Sequence, residues 1–157
     1  MKYATLTLMA AAAAAATVAL PAAAHAEDNG QRFQSPSGNI QCVLDTEGGS
    51  APIALCQIEN KTFSVPPGSG RGQTGEPCPG SSGSGNDFRL DLGQPGFIRC
   101  SFASLMGGAG VPGQTLAYGQ SRSLGAITCE SQPSGVTCTD TSSGHFFRVS
   151  RESYEVG

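Results

Sequence analysis

Six cysteines (Cys42, Cys56, Cys78, Cys100, Cys129, Cys138), one histidine past residue 26 and a few paired carboxylates are the side chains of this sequence with chemistry to offer. Thiolates could bind zinc, but zinc knuckles need two cysteines a few residues apart. The closest pair here, Cys129 and Cys138, has eight residues between them. The cysteines therefore read as disulfides, and the sequence calls for no metal. His145 is the one candidate for acid–base or nucleophilic catalysis, since a hydrolase would set a Ser or Cys against it and an acid behind it. No G-x-S-x-G elbow accompanies it, and its place beside Phe146 and Phe147 suggests a turn-capping or packing role instead. Asp87 and Asp91 stand four apart, and Asp45 and Glu47 two apart. Carboxylate pairs can cleave glycosides when roughly 5–9.5 Å apart or hold calcium, but these read as solvated surface charge. Gly70-Arg71-Gly72-Gln73-Thr74-Gly75 spells G-x-G-x-x-G. A dinucleotide turn must join a buried strand to a helix N-terminus, and this one lies inside a Pro/Gly/Ser stretch. No cofactor is expected. Asn60-Lys61-Thr62 is an N-x-T sequon, of consequence only in a glycosylating host.

The elements that position these residues begin after an export signal. Lys2, an apolar run from about Ala4 to Leu20, Pro21 and the Ala24-His25-Ala26 triplet form the three parts of a signal peptide. The run is too Ala-rich and short for a membrane span of roughly 20 strongly apolar residues. Residues 1–26 are thus expected to be cleaved after Ala26, and residues 27–157 to form a single secreted domain without stable membrane insertion. All six cysteines lie in that part, where an oxidising compartment favours disulfides.

The whole chain has nine Lys/Arg against twelve Asp/Glu, a formal charge of −3, and loss of Lys2 with the leader deepens it to about −4. No basic stripe offers phosphate neutralisation, so nucleic acid is excluded as a partner. Aromatics are 6% of residues and tryptophan is absent, leaving a thin apolar supply for a core. Disulfides worth about 2–4 kcal/mol each would supply much of the missing stability.

A β-branched residue stands two positions before a cysteine in Ile40/Cys42, Ile98/Cys100, Ile127/Cys129 and Val136/Cys138. On extended chain both side chains of each pair leave one face, so the cysteines belong on the inward side of strands. Further strands are expected over 54–60, 62–65, 88–92 and 146–150, with Phe88, Leu90 and Leu92 alternating against Arg89 and Asp91. Helical periodicity is absent beyond a single possible turn over 101–106.

Gln132-Pro133-Ser134-Gly135 is a turn sequence. A two-residue loop would oppose Cys129 and Cys138 directly; a three-residue loop with Gly135 left-handed would slip the register and point them to opposite faces. The first is favoured, and with it the pairing 42–56, 78–100, 129–138. Residues 66–86, dominated by Pro, Gly and Ser around Cys78, read as an irregular surface loop pinned by one disulfide. Residues 106–113 read as a glycine-rich bend. Both loops are candidate contact surfaces.

The stretch Phe33-Gln34-Ser35-Pro36-Ser37-Gly38-Asn39-Ile40-Gln41-Cys42, the later Leu116-Ala117-Tyr118-Gly119-Gln120-Ser121, and Gly135-Val136-Thr137-Cys138 with Gly144-His145-Phe146-Phe147 resemble a small secreted actinobacterial, mycobacterial-type six-cysteine family of unknown function. The resemblance implies export and the same fold, and names no substrate.

The expected fold is all-β, a small antiparallel sandwich or partly open barrel stapled by disulfides. The expected function is a non-enzymatic binding or interaction module of the cell envelope or extracellular space, its partner a protein or an envelope glycan. The alternatives are a small secreted hydrolase using His145 and a protease-inhibitor-like module presenting residues 66–86.

Overall fold

The computed structural model describes residues 30–46, 51–101, 105 and 114–157. The expected leader, Glu47 and the expected 106–113 bend lie outside the described residues, as does most of the 101–106 segment. Among the described residues there is no helix, and the strands form two sheets.

The first sheet contains β1 (Gln31–Gln34), β2 (Ile40–Thr46), β3 (Pro52–Ile58), β4 (Asp87–Asp91), β5 (Phe97–Arg99) and β6 (Gln114–Thr115), in the order β5-β4-β3-β2-β1-β6. The second contains β7 (Ser121–Leu124), β8 (Ile127–Gln132), β9 (Gly135–Asp140), β10 (Phe146–Val149) and β11 (Tyr154–Val156), a meander in the order β11-β10-β9-β8-β7. Every pairing is antiparallel except β1 with β6, which is parallel. The fold is all-β and disulfide-stapled, with the two sheets closing over one apolar core.

Alternation along each strand decides what enters that core. From the first sheet come Phe33, Ile40, Cys42, Leu44, Ala54, Cys56, Ile58, Phe88, Leu90 and Ile98; from the second come Ile127, Cys129, Val136, Cys138, Phe147 and Val149. Every β-branched residue found two before a cysteine is buried, as is its cysteine. Phe88 is the centre of an aromatic group, with ring centroids 6.4 Å from Phe63, 6.0 Å from Phe147 and 5.7 Å from Tyr154.

The disulfides are Cys42–Cys56, Cys78–Cys100 and Cys129–Cys138. Cys42 faces Cys56 across β2 and β3, and Cys129 faces Cys138 across β8 and β9. Each bond therefore spans adjacent strands within its own sheet. Gln132 pairs with Gly135, so the β8–β9 loop is Pro133-Ser134. Gly135 nevertheless has φ +123°, a region closed to other residues, and keeps the register. A Cβ there would also lie 2.2 Å from the Val149 carbonyl oxygen.

Three expectations need correcting. No strand forms over 62–65, where Thr62 instead hydrogen-bonds the Arg151 carbonyl through both its amide, at 2.8 Å, and its hydroxyl, at 3.2 Å. Asp87 is not solvated: it is fully buried on the outer face of the first sheet beside buried Leu55, Gln57 and Arg89. Period two assigned that face to solvent, but it is covered at these positions, and Leu105 donates its amide to Gln57 Oε1 there at 2.8 Å. The 66–86 loop is held by more than its disulfide. Arg71 is hydrogen-bonded along β5, its amide to the Ile98 carbonyl at 3.0 Å and its carbonyl from the Cys100 amide at 3.2 Å. The loop also crosses itself at Gly70 and Gly83, where an added Cβ on Gly70 would lie 2.5 Å from Gly83 Cα.

Candidate functional site

The residues singled out in the sequence do not converge. His145 stands just before β10, and among the described residues its imidazole has no hydrogen-bond partner. Its backbone does the local work, the carbonyl accepting from the Asp140 amide at 2.8 Å and the amide donating to Ser143 Oγ at 3.3 Å. The carboxylate nearest in sequence, Asp140, is already engaged. Oδ1 accepts from the Ser142 amide and hydroxyl at 2.9 and 2.6 Å, and Oδ2 from the Ser143 hydroxyl and Gly93 amide, each at 2.7 Å. The hydroxyls of Ser142 and Ser143, followed by the two amides, hold this carboxyl well below the usual aspartate range despite the opposing effect of burial. Asp140, rather than His145, caps the turn.

Asp87 and Asp91 share the outer face of β4 but not a site. Asp91 pairs with Arg89 at 2.7 Å. Asp87 accepts from Gln57 Nε2 at 3.0 Å and from the Ser101 hydroxyl. Burial pushes the Asp87 carboxyl above the usual range, opposed by the Ser101 hydroxyl, the Arg99 charge and the Gln57 amide. Asp45 accepts from the Thr46 amide at 2.7 Å. The G-x-G-x-x-G stretch is a small closed turn: Gly72 and Glu76 are joined at 2.8 Å, and the Glu76 carboxylate takes the Thr74 amide and hydroxyl at 3.1 and 2.5 Å. No helix follows, so the cradle a pyrophosphate needs is not built. Among the described residues no group of three His, Cys, Asp or Glu side chains could hold a metal ion.

What the fold does build is a cleft of about 460 Å³ at one end of the sandwich. It is lined by Ser35, Ser37, Asn39 and Ile40, by Asn60, by Tyr118, by Gln132, Pro133 and Gly135, and by Ser150, Arg151 and Glu152. These are the turns at which both sheets end. Residues 35–40 form a tight hairpin closed by Gly38 to Ser35 at 2.8 Å and Ser35 to Ile40 at 2.9 Å. Asn39 clamps it to the end of β3: its amide donates to the Asn60 carbonyl at 2.9 Å and its oxygen accepts the Asn60 amide at 2.8 Å.

Tyr118 is presented by a turn in which Gln120 donates to the Ala117 carbonyl at 3.0 Å. Gly119 follows it with φ +82°, the left-handed second position that a type II turn requires. Buried Leu116 anchors the turn on one side, and the Gly119 amide ties it to Ser131 at 2.7 Å on the other. The residue is 49% exposed. Arg151 and Glu152 are the tip of the β10–β11 turn, where Ser150 Oγ accepts the amides of Glu152 and Ser153 at 3.3 and 3.1 Å.

No family model, curated protein or solved structure matches this chain. The cleft therefore rests on its own geometry. Its floor is fixed by backbone and by the internally used groups of Ser35, Ser37 and Asn39. Among the described residues the Tyr118 hydroxyl, the Asn60 carboxamide, the Arg151 guanidinium and the Glu152 carboxylate have no partner, and Gln132 Oε1 is open while its Nε2 donates to Glu130 at 2.8 Å. Several of these residues lie in stretches that the sequence singled out, 33–42, 116–121, the Asn60 sequon and the 132–135 turn, but nothing there announced a shared site, because the stretches are far apart in the chain. Turn letters mark each of them locally: Ser-Gly-Asn, Tyr-Gly, Pro-Ser-Gly and Ser-Arg-Glu.

Proposed function

We propose that this is a non-enzymatic binding module of the cell envelope or extracellular space, exported by residues 1–26 and acting through the Tyr118 cleft. All six cysteines are disulfide-bonded, which suits an oxidising compartment. The observation that carries the reading is the cleft itself: a rigid rim of hairpin turns holding five unengaged polar or aromatic groups around an open space. Glu152 is the only carboxylate lining it among the described residues, which do not assemble there the two-carboxylate arrangement of glycoside hydrolysis. His145 lies outside the lining and brings no nucleophile to it. The 66–86 loop frames a smaller groove of about 270 Å³ that has no charged side chain in its lining among the described residues.

The test is capture from envelope extract by immobilised mature protein, compared with a Tyr118→Ala/Arg151→Ala variant of equal melting temperature. The wild type should retain a component that the variant does not. Equal retention by both, or none by either, would remove the cleft as the binding surface.

A further inference from the structure

Resting on that reading, we infer that the cleft takes a net-neutral, hydroxyl-rich saccharide chain. Three properties of the lining point there. Tyr118 offers an aromatic face with nothing stacked on it among the described residues, and its turn fixes the backbone that presents the ring. The C–H face of a sugar ring is apolar and carries slightly positive hydrogens, which suit the negative face of an aromatic ring. Around it stand Asn60 and Gln132, which present amide or carbonyl groups, and Arg151 and Glu152, which present a donor fork and a bidentate acceptor. Neighbouring sugar hydroxyls each donate one hydrogen bond and accept others, so a mixed set of planar donors and acceptors can satisfy several at once.

The charge balance narrows the class. Among the described residues Arg151 and Glu152 are the only charged ones in the lining, and they have opposite sign. A polyanion would meet one arginine beside a carboxylate that repels it, and a polycation the reverse. A neutral chain meets neither penalty. A peptide is less well served, because peptide recognition relies on apolar anchor pockets or on an open strand edge. The lining comes from turns at strand ends, and its aliphatic residue, Ile40, is buried.

The protein carries its own probe. The sequence has no tryptophan, and once the leader is removed its tyrosines are Tyr118 and Tyr154, of which Tyr154 packs on Phe63 with a 5.1 Å centroid separation. Tyr154 is not in the cleft lining, so a ligand-induced change in the tyrosine emission of the oxidised mature protein that is lost in Tyr118→Ala should report on Tyr118. It would be titrated with neutral linear oligosaccharides built from N-acetylglucosamine, galactose, mannose or arabinose, with polygalacturonate and a neutral peptide as comparisons. At least one neutral oligosaccharide should change the emission saturably; Tyr118→Ala should weaken its binding, read by calorimetry, at least about tenfold. Tyr118→Phe should retain it, and both variants should melt with the wild type. Saturable binding of the polyanion or peptide alone, no response to any neutral sugar, or sugar binding indifferent to Tyr118→Ala would each overturn the inference. The broader reading fails separately. An envelope component captured through the cleft, yet destroyed by protease and untouched by periodate, would leave a binding module whose ligand is not a saccharide.

Discussion

Two buried aspartates show how environment sets opposite roles for one side chain. Asp140 receives four hydrogen bonds, and one of them, from Gly93, ties the β4–β5 turn to the β9–β10 turn across the two sheets. Its carboxyl is held below the ordinary value of 3.8, so its contribution to stability is present above that pH and is lost as the pH falls below it. Asp87 is the reverse. Burial raises its carboxyl above 3.8, so its contribution is complete below that pH and is lost as the pH rises through the raised value. The neutral isosteres should separate these effects in melts followed from acid to neutral pH. Asp140→Asn should be destabilised most at neutral pH, and its deficit should shrink on acidification. Asp87→Asn should gain on the wild type as the pH rises, and a deficit that instead deepens toward neutrality would contradict the assignment.

At the scale of strands and staples, the two cross-strand disulfides are more than parallel local clips. Cys56 Sγ and Cys138 Sγ are 3.9 Å apart. Both sulfurs are already in disulfides, so this is packing across the core and not a hydrogen bond. Each bond closes a short loop, with separations of 14 and 9 residues, and replacing either with a pair of alanines should cost about 2–4 kcal/mol in denaturant titration. Because the bonds touch, removing both should be non-additive by roughly 0.5–3 kcal/mol, whereas Cys78–Cys100, which makes no such sulfur contact among the described residues, should combine additively with either. Additivity in all three combinations would show that the sulfur contact carries no coupling. These staples were the most legible part of the sequence. The two-residue spacing of β-branched side chain and cysteine assigns a face, and Pro133-Ser134 sets the register of β8 and β9. The short β1, β6, β7 and β11 were less legible, because a few residues such as Ser121–Leu124 or Gln114–Thr115 show too little alternation to read. Residues 62–65 carried the letters of a strand, Thr-Phe-Ser-Val, but Phe63 and Val65 pack against the core from irregular chain.

At the scale of the whole molecule, the sandwich makes a site that no segment contains. The turns holding Asn39, Asn60, Tyr118, Gln132 and Arg151 meet only because both sheets end on the same side, so no spacing in the sequence could announce them. For the same reason the Gly- and Pro-rich composition of residues 66–86 drew attention to a loop that the fold braces against β5. The direct test is chemical-shift mapping on isotopically labelled protein comprising residues 27–157, titrated with whatever component the capture experiment retains. Shifts should concentrate on Asn39, Asn60, Tyr118, Gln132, Arg151 and Glu152 and follow a single binding curve. Shifts confined to residues 66–86, or centred on His145 with turnover of the added component, would contradict a binding module that works through the cleft.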